Sequence, residues 1–150
     1  MPYNTDPFLD SPIEYYELNL VLRSLRNNKA PGGDGIPYEF YNYAAACFVN
    51  ELLTVLNHIF IKEVIPSSFK ESVLIPLLKK GDPNCLTNYR GISLMDALCN
   101  IFNNIILNRL ITWVERYNIL NEYQAGFRKN YSTIDNIFNL VNIAHLNKKN

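Results

Sequence analysis

The chain is short of the features that mark a metal centre, a disulfide framework or a membrane anchor. Its 150 residues include three cysteines, Cys47, Cys85 and Cys99, odd in number and widely spaced, so neither paired disulfides nor a C-x-x-C knuckle is predicted. A reducing, intracellular setting, cytoplasmic or nuclear, is the expectation. The two histidines, His58 and His145, have no cysteine, histidine or carboxylate at ligand spacing and read as helix-face residues. No G-x-S-x-G elbow marks a nucleophilic serine. The most apolar stretch, Ala44 to Ile61, is interrupted by Asn50, Glu51, Thr54, Asn57 and His58, so no membrane partner is expected. The first residues lack a basic start followed by an apolar run, and no signal peptide is read there.

An excess of charge of one sign is also missing. Fourteen basic residues balance 14 acidic ones, which excludes a protein that meets a polyanion with its whole surface. The distribution is uneven, however. Asp6, Asp10, Glu14 and Glu17 occupy the first 22 residues without a basic residue, whereas Arg128, Lys129, Lys148 and Lys149 face only Asp135 after Glu122. Any contact with nucleic acid is therefore expected as a local patch.

What is abundant is apolar and aromatic material. Hydrophobic residues make up 48% and charged residues 19% of the chain, with 10 tyrosines and eight phenylalanines, a composition that folds into one globular domain. Residues 1–10 read as a flexible lead-in and 11–150 as the folded region. Ser11-Pro12-Ile13-Glu14 has the form of a capping box with proline at the first helical position, predicting a helix to Arg26 or Asn27. Three glycines and two prolines between Lys29 and Pro37 force a loop. From Tyr38, the apolar stripe Phe40, Ala44, Phe48, Leu52, Val55, Leu56 and Ile59 predicts a long amphipathic helix to about Lys62, whole or broken into two. Ser67 to Lys70 reads as a short helical turn.

Ser72 to Leu78 is a short apolar run with β-branched residues, and Tyr89 to Leu94 a second, predicting a hairpin around a loop of about ten residues. Pro76 restricts its strand to a sheet edge or a bulge. Ser93-Leu94-Met95-Asp96 caps a further helix to about Tyr117, and Ser132-Thr133-Ile134-Asp135 caps a last one. The fold class expected is α+β, helix-dominated with one antiparallel hairpin.

The hairpin carries the clearest chemistry. Lys79 and Lys80 lie where one strand enters the turn, and Arg90 lies on the returning strand. A nucleoside triphosphate needs positive charge around its phosphates, lysine acting as a point charge and arginine as a two-pronged donor. Lys-Lys-Gly-Asp alone describes many solvated turns. The glycine-rich loop at 29–37 lacks the G-x-x-x-x-G-K-S/T spacing and does not follow a strand, so it is not a triphosphatase phosphate loop.

Five motifs occur in one order: K-A-P-G-G-D-G-I-P at 29–37, P-L-L-K-K-G-D-P at 76–83, N-Y-R-G-I-S-L at 88–94, N-R-L at 108–110, and Q-A-G-F-R with S-T-x-D between 124 and 135. In that order they resemble the reverse transcriptases of non-LTR (LINE-like) retrotransposons, over residues 12–146. The resemblance implies the fingers subdomain of a right-hand polymerase, gripping template RNA or an RNA–DNA hybrid and the incoming dNTP. Lys79 or Lys80, with Arg90, would hold the triphosphate. Arg128 and Lys129 would lie near template and primer, and Lys29 in a loop that meets template RNA. Gly33 and Gly91 stand where the family commonly has proline, and Asn100 where a lysine often follows.

Polymerase chemistry uses magnesium ions held by paired carboxylates. In the family these come from an aspartate strand after S-T-x-D and a later Y-x-D-D turn, neither of which occurs in these 150 residues. The resemblance therefore implies a region cut off before the catalytic palm: magnesium belongs to a complete enzyme, no catalytic residue or cofactor is assigned here, and this chain alone is expected to bind without polymerising. The rival from another class is a helical module that binds proteins and not nucleic acid, supported by the aromatic content and zero net charge.

Overall fold

Apolar residues recurring every three to four positions become the buried stripes of three helices that pack on one another. The structure, a computed structural model, describes residues 6–128 and 130–147. Residues up to Leu110 form one unit and those from Ile111 a second. The elements are helix α1 (Tyr15–Ser24), α2 (Tyr38–Asn42), α3 (Ala46–Lys62), a 3-10 turn at Ser67–Lys70, strand β1 (Val73–Leu78), strand β2 (Tyr89–Leu94), α4 (Ala97–Arg116) and α5 (Thr133–Asn147). The chain is helix-rich with one two-stranded antiparallel sheet, an α+β arrangement.

The core of the first unit joins Leu18, Val21 and Leu22 of α1 to Val49, Leu52, Leu56 and Ile59 of α3 and to Ala97, Ile101, Phe102 and Ile105 of α4. Each such side chain contributes about 1.5–3 kcal/mol when fully withdrawn from water. The expected long helix from Tyr38 is two helices, parted at Tyr43 to Ala45. Phe40 meets its neighbour Tyr41 and, across the break, Phe48 edge-on, with ring centroids 5.3 and 5.2 Å apart.

The first helix starts later than its apparent capping box. Ser11 and Pro12 lie outside it, and the cap is formed one turn on, where the Glu17 carboxylate accepts the Glu14 N–H at 2.8 Å. The cause is long-range. Asn57 on α3 accepts the Ile13 N–H at 2.7 Å and donates to the Ile13 carbonyl at 2.9 Å, treating that residue as a strand partner would.

Arg109 on α4 completes the hold on this segment. Its side chain is 3% exposed and continues the buried stripe of Ile101 and Ile105. A guanidinium has five N–H donors, and here each has an acceptor. Nε and Nη2 form a fork on Glu17, both at 2.7 Å, Nη1 donates to the carbonyls of Leu9 (3.1 Å) and Ser11 (2.6 Å), and Nη2 also donates to that of Pro12 (2.9 Å). Its carbon lies 5.3 Å from the centre of the Phe60 ring. The carbonyls drawn to Arg109 cannot take part in a helix, which is why α1 begins at Tyr15.

Among the described residues no helix is long and apolar enough to cross a membrane. All three cysteines are free, Cys47 and Cys85 exposed and Cys99 buried.

Candidate nucleotide and nucleic-acid interface

The hairpin is built so that β1 tolerates its proline. Leu77 pairs with Arg90, Pro76 with Gly91 and Ile75 with Ile92, and the Lys79 N–H donates to the Asn88 carbonyl at 2.8 Å. Bonded and non-bonded pairs alternate along an antiparallel ladder, so Pro76 occupies a non-bonded position and removes no ladder donor. A Cβ at Gly91, opposite, would come within 2.7 Å of the Leu74 side chain. Both strands are edges, β1 exposed along its length and β2 exposed except at its partly buried ends, Tyr89 and Leu94.

The register separates the two lysines. Directly paired residues share a face, so Leu77, Lys79, Asn88 and Arg90 lie on one side of the hairpin, with Lys79 diagonal to Arg90. Lys80 follows where the ladder has ended. Among the described residues, none of the three cationic groups has an ion-pair or hydrogen-bond partner of its own. The turn beyond is internally braced. Gly81 adopts φ 91°, a conformation that favours glycine, and the Asn88 amide occupies the place a Cβ would take, 2.7 Å away. Asp82 accepts the Asn84 N–H at 2.9 Å on its carboxylate and the Cys85 N–H at 3.1 Å on its carbonyl, and the Tyr89 hydroxyl donates to the Pro83 carbonyl at 2.9 Å. The Thr87 hydroxyl, 3.0 Å from the Cys85 sulfur, lowers that exposed thiol's pKa.

The loop at 29–37 is anchored from the start of α4. The buried Asp96 carboxylate accepts the Asp34 N–H at 3.2 Å, while Asp34 itself accepts the Ile36 N–H at 2.9 Å. Gly32 lies so close that a Cβ there would come within 2.5 Å of the Asp96 nitrogen. Asn100 donates to the Tyr38 hydroxyl at 2.9 Å and to the Met95 carbonyl at 3.2 Å. Asp96 and Asn100 thus brace the loop, a part that their helix-start positions in the sequence did not disclose. Lys29 is exposed at one end of this loop, in the same unit as the hairpin.

Arg128 belongs to the second unit and is engaged there. Its guanidinium forks onto Glu115 at 3.1–3.3 Å, donates to the Asn121 carbonyl at 3.2 Å and stacks on the Tyr131 ring 3.9 Å from its centre. Lys129 lies outside the described residues. Ser132 caps α5 as its sequence implied, accepting the Ile134 N–H at 3.1 Å while Asp135 accepts the Ser132 N–H at 3.3 Å.

Two clefts flank the end of α1. One, of about 700 Å³, is lined by Arg23, Arg26 and the tyrosines 15, 41 and 43. The other, of about 450 Å³, is lined by Arg26, Lys29, Tyr38, Asn100 and Asn104. Arg23 and Arg26 were not singled out in the sequence, although their spacing of three, continued by Lys29, was there to be read.

No protein-family model matches the chain. Curated proteins do. A 149 kDa protein of transposon TX1 from Xenopus laevis is 29% identical over 141 residues, covering 94% of this chain and 11% of that protein. The probable RNA-directed DNA polymerase from transposon BS of Drosophila melanogaster is 28% identical over 131 residues, covering 87% of this chain and 14% of its own length. The RNA-directed DNA polymerase from the mobile element jockey of the same organism is 26% identical over 162 residues, covering 95% and 18%. The chain thus spans less than a fifth of the length of these proteins, and over about nine-tenths of itself it is similar to RNA-directed DNA polymerases of transposons and mobile elements.

Proposed function

We propose that the chain is a fingers region of a reverse transcriptase, acting inside the cell, and that its hairpin grips the triphosphate of an incoming dNTP while the loop at 29–37 meets template RNA. The observation that carries this reading is the register of the hairpin. It sets Lys79 and Arg90 diagonally on one face, neither neutralised by a carboxylate among the described residues. A point charge and a planar fork side by side suit the adjacent phosphates of a nucleotide. Lys79 is the principal lysine of this proposal and Lys80 a secondary charge. Lys29 and Lys129 are assigned to the nucleic-acid backbone. Arg128 is assigned the positioning of that second contact, because Glu115 and Tyr131 already occupy its guanidinium.

Among the described residues no three histidine, cysteine or acidic side chains converge, and magnesium is assigned to no residue of this chain. The proposal accordingly gives this chain binding and no chemical step. Charge-assisted hydrogen bonds contribute about 1.5–3 kcal/mol each, which is roughly tenfold or more in affinity. Titration of the 150-residue chain with a fluorescent dNTP should show Arg90→Gln and Lys79→Gln each weakening binding about tenfold, and Lys80→Gln about twofold. Unchanged affinity in Arg90→Gln would remove the hairpin from the proposal.

A second reading, a protein-binding helical module, draws on α5. Ile134, Ile137, Phe138, Leu140, Val141, Ile143 and Leu146 are 46–71% exposed, far more apolar surface than one helix ordinarily shows to water.

A further inference from the structure

The hairpin leaves unused a row of cations at the other side of the sequence motifs. Arg23 in the last turn of α1, and Arg26 and Lys29 in the segment that follows it, have no ion-pair or hydrogen-bond partner among the described residues. Arg26 lines both clefts described above, Arg23 the larger and Lys29 the smaller. No aspartate or glutamate lines either cleft. The nearby acid Glu39 accepts the Asn28 N–H on one carboxylate oxygen, which lowers its pKa, while its other oxygen is buried without a hydrogen-bond partner among the described residues.

We infer that these two clefts form a binding site for single-stranded RNA, taking two neighbouring bases with the phosphate between them on Arg26. The inference rests on the reading of the chain as an RNA-binding region and gives that reading a location and a strand type. Each cleft, of about 700 and 450 Å³, falls in the range of small-molecule sites. Unpaired bases are held by aromatic or guanidinium faces and read on their polar edges, and tyrosines supply such faces in both clefts. The smaller cleft also has the edge groups. Asn100 uses both amide hydrogens on Tyr38 and Met95, so its carbonyl oxygen remains to accept from a base amino group, and the Tyr38 hydroxyl, already accepting from Asn100, retains its proton to donate. Asn104 likewise donates to the Asn100 backbone carbonyl at 2.8 Å, leaving the Asn100 side-chain oxygen untouched, and keeps its own side-chain oxygen for a ligand. A duplex presents no splayed base to such recesses.

The test is fluorescence anisotropy of the 150-residue chain with labelled 12-mers of oligo(U) and oligo(A), an abasic 12-mer of the same backbone, and an RNA duplex, at 50 and 150 mM salt. The expected result is salt-sensitive binding of the single strands, at least tenfold weaker for the duplex and for the abasic strand, since stacking on aromatic groups is sensitive to loss of the base. Arg26→Gln should weaken single-strand binding about tenfold and lower the salt slope by about 0.7, the value of one single-strand phosphate contact. Arg26 is exposed, so a melting temperature equal to that of the wild type will show that the variant is folded. Wild-type affinity in Arg26→Gln, with RNA still bound by the parent chain, overturns this site and leaves the RNA-binding reading intact. Equal affinity for the abasic strand reduces the site to an electrostatic patch and overturns the base clefts. Failure of the wild-type chain to bind any RNA at 50 mM salt overturns both the site and the reading on which it rests.

Discussion

Arg109→Met should cost the folded chain about 3–5 kcal/mol, the range found when one partner of a buried ion pair is removed. The partly buried Glu17 carboxylate, 13% exposed, would lose both bonds of its fork, and the Leu9, Ser11 and Pro12 carbonyls would lose their donors. Set against a total stability of about 5–15 kcal/mol, this is enough to lower the thermal midpoint by roughly 6–20 °C. Acid should shrink the difference. Desolvation pushes the Glu17 pKa up, but the Arg109 hydrogen bond and charge, with a backbone bond at Glu14, outweigh it, and the net shift is downward. A depressed carboxylate contributes stability that is fully present above its unfolded pKa of about 4.3 and is lost as pH falls through its folded value. Parent and variant should therefore converge below about pH 4, apart from the bonds to the three carbonyls. Urea unfolding at pH 7 and pH 3 measures both quantities. A loss under 1 kcal/mol at pH 7, or one that does not diminish in acid, would contradict the clamp.

Gly32→Ala and Gly33→Ala should behave oppositely although they are neighbours. A methyl at Gly32 meets the backbone of Asp96, 2.5 Å from its nitrogen and 2.6 Å from its Cα, whereas at Gly33 the nearest atoms are 3.9 Å away. Backbone cannot rotate aside as a side-chain tip can. Accommodation means lifting the loop and parting the Asp34 N–H from the Asp96 carboxylate, with an overpacking cost of about 1–3 kcal/mol. Gly33→Ala should fall within about 0.5 kcal/mol of the parent, since it restricts the unfolded chain without a clash. Because the loop carries Lys29, Gly32→Ala should also weaken RNA binding several-fold. Chemical denaturation paired with RNA titration reports both effects, and equal stabilities for the two variants would show that the loop is not seated on Asp96.

The hairpin was legible almost to the residue. An apolar β-branched run, a Gly-Asp-Pro-Asn turn and a second run fix strands locally, and β1 and β2 begin and end within one residue of the sequence expectation. The helices were legible in their positions, but not in every buried residue, since Phe40 and Val55 of the stripe read from Tyr38 are exposed while Val49 is buried, and not at the junctions where distant groups decide. Nothing near Ser11 announces that Arg109 and Asn57 will take its neighbours' backbone groups. Tyr43, Ala44 and Ala45 carry no breaker, and Phe40 and Tyr41 pack against Phe48 across the gap between α2 and α3. The same division holds for the site. Motif order pointed to Lys79, Lys80 and Arg90, and register then distinguished the lysines. Arg23 and Arg26 lie outside every motif and gain meaning only from the clefts that α1, α2 and α4 create around them.

The central claim is that this chain carries its own local patches for phosphate despite a net charge of zero. The most direct measurement is the affinity of the 150-residue chain for a single-stranded RNA 12-mer across a salt series, with an Arg23→Gln/Arg26→Gln/Lys29→Gln variant beside it. The account predicts binding that weakens linearly in log salt, with a slope corresponding to two or more phosphate contacts at about 0.7 each, and a smaller slope with at least tenfold weaker binding in the triple variant. No binding at low salt, or an affinity indifferent both to salt and to the triple substitution, would contradict it.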